Sequence, residues 1–307
     1  MNPIKGILLK LLAVVTFVVM AALVKATSDH VPAGQAVFFR SFFAIPVILG
    51  WLWVRGDLRT GLRVASPMGH FWRGFVGTTA MGLMFTGLAL LPLPEVTAIG
   101  YAAPLLTVIF AAMFLNEQVG LFRLGAVALG LVGVLIVLSP RLTAFAGDTV
   151  ETTQALGAIV VLAGAGCAAL AQIYVRKLVQ TEQTSAIVFF FSLTSSILAL
   201  LTLPFGWVVP TGKEAVLLVL IGLVGGMGQI FLTSAYRFAD ASVVAPFDYA
   251  SMIFALLIGY FVFSEVPTGP MLLGAGIVIL AGVIIIVREH RLGIERNRAR
   301  RNITPQG

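Results

Sequence analysis

Two stretches of this chain share one pattern: AIGYAAPLLTVIFAAMFLNEQVGLFRLGAVALGLVGVLIV at residues 98–137 and APFDYASMIFALLIGYFVFSEVPTGPMLLGAGIVILAGVIII at residues 245–286. Each stretch opens with an apolar run that carries a tyrosine near its start and ends in a glutamate. A second apolar run follows, interrupted by glycines. Tyr101 corresponds to Tyr249 at an offset of 148 residues, which indicates an internal duplication.

The duplication extends along most of the chain, because matching residues recur in the same order at nearly constant offsets. At an offset of 151 residues, Gly6, Lys25, Phe38, Phe39 and Ser41 match Gly157, Arg176, Phe189, Phe190 and Ser192. At offsets of 148 or 149 residues, Gly74, Gly77, Glu117, Gly125 and Gly133 match Gly222, Gly225, Glu265, Gly274 and Gly282. The chain therefore consists of two related halves.

The composition places both halves in a membrane. Of the 307 residues, 59% are hydrophobic and 11% are charged, and a mean hydropathy of +1.02 excludes a water-soluble globular protein. A bilayer core about 30 Å thick requires roughly 20 apolar residues per helix. The predicted spans are residues 5–26, 33–54, 70–91, 95–115, 121–138, 155–175, 184–204, 213–235, 242–263 and 269–287.

The span count predicts how the halves are oriented. Because each half has five spans, the second half enters the membrane in the opposite sense to the first. We predict an all-α membrane protein with one five-helix repeat at 1–140, a periplasmic connection at 141–153, a second repeat at 154–288 and a basic cytoplasmic tail at 289–307. Inverted repeats are typical of secondary transporters with a substrate site near the midplane. The alternative is a duplication that only builds a stable bundle.

Basic residues predict the orientation of the chain. If the N-terminus is inside, 16 of the 20 Lys and Arg residues lie on the cytoplasmic side. The exceptions are Arg141, Lys213, Lys25 and Arg40. Positively charged segments remain cytoplasmic, so both termini are expected there. We interpret the basic tail as a contact with anionic membrane lipid and expect no nucleic acid partner.

Other chemistries find little support in the sequence. One cysteine and three histidines, His30, His70 and His290, form no metal-binding pattern, and we expect no metal and no cofactor. No phosphate-binding loop is present, so this chain does not hydrolyse ATP. An intramembrane enzyme would need catalytic groups clustered at one depth, and the histidines lie outside the spans or at their ends.

The two quoted stretches resemble the EamA-type permeases of the drug/metabolite transporter superfamily, and the similarity covers residues 5–287. The resemblance implies ten helices in the bacterial inner membrane and a secondary transporter that moves a small organic metabolite as spans 1–5 rock against spans 6–10. Residues 38–40, 73–74 and 239–265 look most like proteobacterial metabolite carriers. Riboflavin uptake is therefore the first expectation, with amino-acid export, including aromatic amino acids, and S-adenosylmethionine transport as alternatives. Pro246 replaces Ala98 between the two copies.

The family's acids match Glu117 and Glu265, which we expect to cap helices or fix loops. Gly225 and Gly226 lie in one of the glycine-richest spans and form either a helix contact or a ligand-facing wall. Gln229 on the same helix indicates a polar cavity, or else a hydrogen bond between helices.

Asp248 is the only acid that we place within a predicted span, where ionisable residues are functional candidates. It could bind a cationic substrate group or carry a coupling proton, or it could pair with Arg237 or Arg73. Pro246 beside it, and Pro104 in the first copy, predict kinks.

Four further side chains complete the predicted substrate site. Arg40 could contact a carboxylate, although a structural pairing is the stronger expectation, whereas Arg73 is expected to anchor at the interface. Tyr101 and Tyr249 could stack on a planar solute or pack the core. Gln172 lies at the inner end of the sixth span. The glycine faces containing Gly125, Gly130 and Gly133 suit close packing and would also suit a homodimer.

Overall fold

The computed structural model describes residues 3–58, 60–115, 119–142, 149–238 and 244–303, and these residues are almost entirely helical. The α-helices are α1 (Pro3–Thr27), α2 (Ala33–Val54), α3 (Pro67–Leu90), α4 (Leu93–Gly100), α5 (Ala102–Leu115), α6 (Leu121–Leu142), α7 (Thr149–Leu178), α8 (Thr184–Leu200), α9 (Gly212–Phe238), α10 (Ala250–Phe263) and α11 (Gly269–Ile303). Two short 3-10 helices lie at Leu203–Phe205 and Ala245–Tyr249.

The predicted ten spans are confirmed. Helices α4 and α5 follow each other within the fourth span, and the second 3-10 helix leads directly into α10 within the ninth. The predicted connection at 141–153 is shorter than expected, since α6 continues to Leu142 and α7 begins at Thr149. The predicted tail also starts as helix, because α11 continues to Ile303.

The fourth and ninth spans are both interrupted at repeat-related positions. In the fourth, α4 ends at Gly100 and α5 starts after Tyr101. Pro104 stands in the first turn of α5, and its missing N–H leaves the Gly100 carbonyl without the usual helical donor. In the ninth, Ala245–Tyr249 winds as a 3-10 helix before α10 begins. The proline kinks are thus realised as breaks at Tyr101 and Tyr249.

The two repeats interleave. Helix α1 packs along α9, and its repeat counterpart α7 packs along α3, so each half exchanges a helix contact with the other. Helices α6 and α11, the fifth and tenth spans, pack against each other. Spans 1–5 and 6–10 therefore do not form two separate bodies. The expectation that one half rocks against the other stays a prediction.

Glycine sets the distance between α6 and α11. A Cβ atom on Gly133 would lie 2.8 Å from the Gly274 carbonyl oxygen, so the two backbones are in direct contact. Gly130 likewise packs against Leu105, whereas Gly125 has open space beside it. Close packing is confirmed for Gly130 and Gly133, and homodimer formation stays a prediction.

Candidate solute site between the repeats

The two tyrosines at the span interruptions meet inside the bundle. Their ring centroids are 5.1 Å apart and nearly perpendicular. The Tyr101 hydroxyl donates to the Tyr249 carbonyl oxygen over 3.3 Å and lies 2.6 Å from the Ser251 hydroxyl. The Tyr249 hydroxyl occupies the space left by the missing side chain of Gly282. Both rings are buried and contact each other, so they mark the meeting point of the two repeats.

Asp248 pairs with a lysine of the first helix. Its carboxylate lies 2.7 Å from the Lys10 ammonium nitrogen; the lysine side chain is 2% exposed and the aspartate side chain 52%. By sequence, Lys10 counts among the basic residues of the inner side. It lies about 10 Å along α1 from the helix N terminus, which places it within the membrane-spanning part. A buried cation thus holds an acid that keeps one exposed face.

Two arginines converge on one phenylalanine ring. The guanidinium carbon of Arg73 on α3 lies 3.5 Å from the ring centroid of Phe191 on α8, and that of Arg40 on α2 lies 5.6 Å from it. The sequence-based expectations were an interfacial anchor for Arg73 and a structural ion pair for Arg40. The anchor is wrong for Arg73, because its Nε and Nη1 atoms are buried; Arg40 is 5% exposed and has no carboxylate partner within the described residues, so its structural pairing stays a prediction.

Several buried polar atoms around these arginines lack partners within the described residues. They are Arg40 Nε, both Nε and Nη1 of Arg73, and the hydroxyls of Ser41 and Ser192. Buried polar groups in proteins are almost always hydrogen-bonded. The two serines occupy equivalent positions of the repeats, so each half contributes buried polar atoms without a hydrogen-bond partner among the described residues.

Repeat-related glycines flank the two guanidinium groups. A Cβ on Gly77 would lie 3.2 Å from Arg73 Nη1, and one on Gly225 would lie 3.3 Å from Arg40 Nε. Gly225 therefore leaves room for the Met20 and Arg40 side chains, and a ligand-facing role for it stays a prediction. Gly226 instead contacts Val47 and the Ala44 backbone, which is a helix contact between α9 and α2.

The two predicted glutamines lie away from this centre. Gln229 borders a cavity of about 10 Å³ between α2, α8 and α9, together with Trp51 and Ser185. That volume is close to the minimum for one water molecule. The Gln172 side chain is exposed and makes no hydrogen bond to another described residue. Neither is brought into contact with the tyrosine pair.

A second lysine of α1, near the C-terminal end of that helix, also pairs with an acid. The Lys25 ammonium lies 2.9 Å from the Glu265 carboxylate and donates to the Leu91 and Leu88 carbonyl oxygens over 2.7 and 3.2 Å. Glu265 also accepts from the Leu93 backbone N–H at the start of α4, over 2.9 Å. The expected loop-fixing role of Glu265 is confirmed, and Glu117 lies outside the described residues.

Two further buried acids have partners that sequence reasoning missed. Glu95 in the first turn of α4 binds the Arg141 guanidinium through contacts of 2.7 and 3.0 Å, so Asp248 is not the only acid within a span. A signal was present, since an acid follows Pro94 where the helix starts. Glu182 accepts from the backbone N–H groups of Ala65 and Ser66, each at 2.7 Å.

Glu182 lies between spans and stays ionised. Burial opposes its charge, but the hydrogen bonds from the Ser66 and Ala65 amides, together with nearby His70, outweigh this and hold the pKa of the carboxyl below its usual value. His70 is itself buried on α3, with Nε2 3.5 Å from the carboxylate. The arrangement ties the loop after α2 to the turn after α7.

Known proteins resemble the chain over most of its length. The model of the EamA-like transporter family matches residues 4–139 and 155–288. The S-adenosylmethionine uptake transporter of Rickettsia felis is 29% identical, covering 84% of each chain. The pseudopaline exporter CntI of Pseudomonas aeruginosa is 32% identical over 91% of this chain and 95% of its own. The riboflavin transporter of Vibrio cholerae is 29% identical over 98% of both.

A solved structure supports the same fold. One crystal structure aligns with 94% of this chain and 98% of its own, with a TM-score of 0.65 and 21% sequence identity. At that identity the likeness concerns the arrangement of helices alone.

Proposed function

Since the chain belongs to the EamA-like transporter family, we propose that it is a secondary transporter that carries a small organic metabolite across the bacterial inner membrane by alternating access. The distribution of basic residues supports a cytoplasmic location for both termini. The energy source is a solute gradient or coupled protons, and Asp248 is the candidate for proton coupling because its carboxylate is half exposed beside a buried cation.

The contact between Tyr101 and Tyr249 is the observation that carries this proposal. Each tyrosine stands at the interruption of a span, and the two spans are repeat counterparts running in opposite directions. Interrupted helices that meet between inverted repeats are where secondary transporters bind their substrates. The hydrogen bond from the Tyr101 hydroxyl to the Tyr249 carbonyl oxygen also links the two halves, so a movement of one interrupted span would displace the other.

The cargo is proposed to contain a planar ring system. Riboflavin uptake remains the first expectation from sequence, and an S-adenosylmethionine carrier has equal support from similar proteins. Both solutes carry a heteroaromatic ring that tyrosine side chains could contact once the pair separates. Export of amino acids, including aromatic ones, is the alternative.

Solute counterflow tests the transporter proposal. Proteoliposomes loaded with unlabelled riboflavin, S-adenosylmethionine or tryptophan are placed in trace labelled solute, and a carrier accumulates label transiently. A bundle with only a structural role gives no accumulation with any solute, and that result would contradict the proposal.

A tyrosine substitution tests the site. Tyr101→Phe removes the hydroxyl bonds to Tyr249 and Ser251, and we expect the counterflow rate to fall roughly fivefold. Tyr260→Phe on the exposed face of α10 is the matched control and should leave the rate unchanged.

A further inference from the structure

We propose that Arg40 and Arg73 form a subsite for the carboxylate or phosphate group of the cargo. This inference rests on the proposed transport function and specifies which solutes the site accepts. Both guanidinium groups lie near the Phe191 ring, with their carbon atoms 3.5 Å (Arg73) and 5.6 Å (Arg40) from its centroid.

The two guanidinium groups lack a counter-charge among the described residues. Removing a guanidinium from water is costly unless an anion or hydrogen-bond acceptors compensate. Here one face of each cation is covered by an aromatic ring, but ring contact does not satisfy the N–H groups, three of which are buried without an acceptor among the described residues. Among the described residues, five acids of the spans and their ends are engaged elsewhere: Glu95 with Arg141, Glu182 with Ala65 and Ser66, Glu214 with His30, Asp248 with Lys10 and Glu265 with Lys25.

The position of the two arginines in the bundle also supports an anion subsite. Arg40 and Phe191 correspond at the repeat offset of 151 residues, and each lies about 10 Å inside its helix. Gly77 and Gly225, which also correspond, each leave room beside one guanidinium group. The cations therefore sit where the two repeats face each other, at the depth where carriers of this construction bind their cargo.

The guanidinium group also matches a carboxylate or phosphate in shape and charge. A guanidinium group is planar and presents paired N–H donors that match the two oxygens of a carboxylate or phosphate. Stacking on Phe191 fixes the guanidinium plane of Arg73 and leaves its edge for such an acceptor. Lysine would supply charge without this geometry.

Matched solute pairs test the inference on the full-length protein in detergent. The pairs are riboflavin and riboflavin 5′-phosphate, decarboxylated S-adenosylmethionine and S-adenosylmethionine, and tryptamine and tryptophan; the second member of each adds the oxyanion. Dissociation constants come from ligand-induced thermal stabilisation. For the pair whose ring the site accepts, we expect the oxyanion-bearing member to bind on the order of tenfold to a hundredfold more tightly.

Variants assign that preference to the arginines. Arg40→Gln and Arg73→Gln should each abolish the preference, Arg40→Lys should retain part of it, and Arg55→Gln should leave it unchanged. Arg55 is the control because it contacts Trp51 in a similar way outside the bundle core. The melting temperature of the empty protein should not fall in Arg40→Gln, since no counter-ion loses its partner. A purely structural arginine would lower it.

The outcomes separate this inference from the transport proposal. Equal binding of both members of every pair, or a preference that survives both glutamine variants, overturns the oxyanion subsite while counterflow still supports a carrier. If inorganic phosphate binds as tightly as the oxyanion-bearing solutes, the ring system contributes nothing and the site holds an ion or a lipid headgroup. That result would also overturn the oxyanion subsite. Absence of counterflow with every solute contradicts transport and the subsite together.

Discussion

Helix α1 carries two lysines that pair with acids on either side of α10, Asp248 before it and Glu265 after it, yet their surroundings differ. At the outer end, Lys25 and Glu265 are 15% and 13% exposed, and backbone groups satisfy their remaining hydrogen-bonding capacity. At the inner end, Lys10 is 2% exposed, whereas its partner Asp248 is 52% exposed. The outer pair is built as a closure. The inner pair leaves a carboxylate face available to a solute or a proton.

The contrast shows that ion-pair distance alone does not indicate a role. The nitrogen–oxygen distances are 2.7 Å at Lys10 and 2.9 Å at Lys25, nearly the same. What differs is whether the acid has other partners and how much of its side chain the protein covers. The same substitution at both lysines therefore separates a structural role from a functional one.

Lys25→Met should have the largest effect. It leaves the largely buried Glu265 carboxylate without its counter-charge and two carbonyl oxygens without their donor, and we expect a loss of about 3 kcal/mol in stability. Thermal or denaturant unfolding in detergent measures it. An unchanged unfolding midpoint would mean that the outer end is not closed by this pair.

Glu182→Gln should come next, with a loss of about 2 kcal/mol near pH 7, because a carboxylate accepts two backbone N–H bonds there. The folded-state pKa of Glu182 is lowered, so its stabilisation is complete above about pH 5 and disappears as the pH falls through that lowered pKa. Unfolding midpoints of wild type and variant should therefore converge in acid. A difference that persists unchanged at low pH would contradict the ionised state.

Lys10→Met should cost less than about 1 kcal/mol, because a buried lysine is replaced by an apolar side chain and Asp248 keeps its exposed face. Transport should nevertheless fall severalfold, since the acid loses the group that positions it. Counterflow rates and unfolding midpoints are compared in the same preparation. Asp248→Asn provides the matched test, and counterflow with unchanged rate and pH dependence in that variant would remove the acid from the mechanism.

Arg55→Gln should have the smallest effect, about 0.5 kcal/mol or less. Its pair with Asp57 spans 3.5 Å and is exposed on both sides, so solvent screens it. This substitution sets the baseline for removing an ion pair from this protein. A loss comparable with that of Lys25→Met would show that burial does not explain the contrast.

The architecture could be predicted from sequence because the bilayer dictates it. Span length follows from membrane thickness, and the duplication is visible in matches such as Tyr101 with Tyr249. Pro104 and Pro246 predicted kinks near these tyrosines, although the residue at which each helix is interrupted depended on local helix geometry. Span ends were less accurate, since α7 begins at Thr149, outside the apolar stretch that predicted it.

The candidate site was only partly predictable, since charge counting treats every basic residue near a span end alike. Lys10 and Arg73 were assigned to the interface for this reason. Both lie about 10 Å inside their helices, where depth and neighbours decide the role. Which helices face each other is a tertiary property, and it is this that brings Arg73 onto Phe191 and Lys10 onto Asp248. Gln172 was misjudged for the same reason.

The correspondence between Arg40 and Phe191 has an energetic consequence for the transport cycle. In a carrier with two identical inverted halves, the inward-facing and outward-facing states would be related by symmetry and equal in free energy. An arginine opposite a phenylalanine at equivalent positions removes that degeneracy, because exchanging the conformations of the halves places the charge in a different environment. In a carrier that works by alternating access, this unlike pair would contribute to the preference of the empty protein for one of the two states.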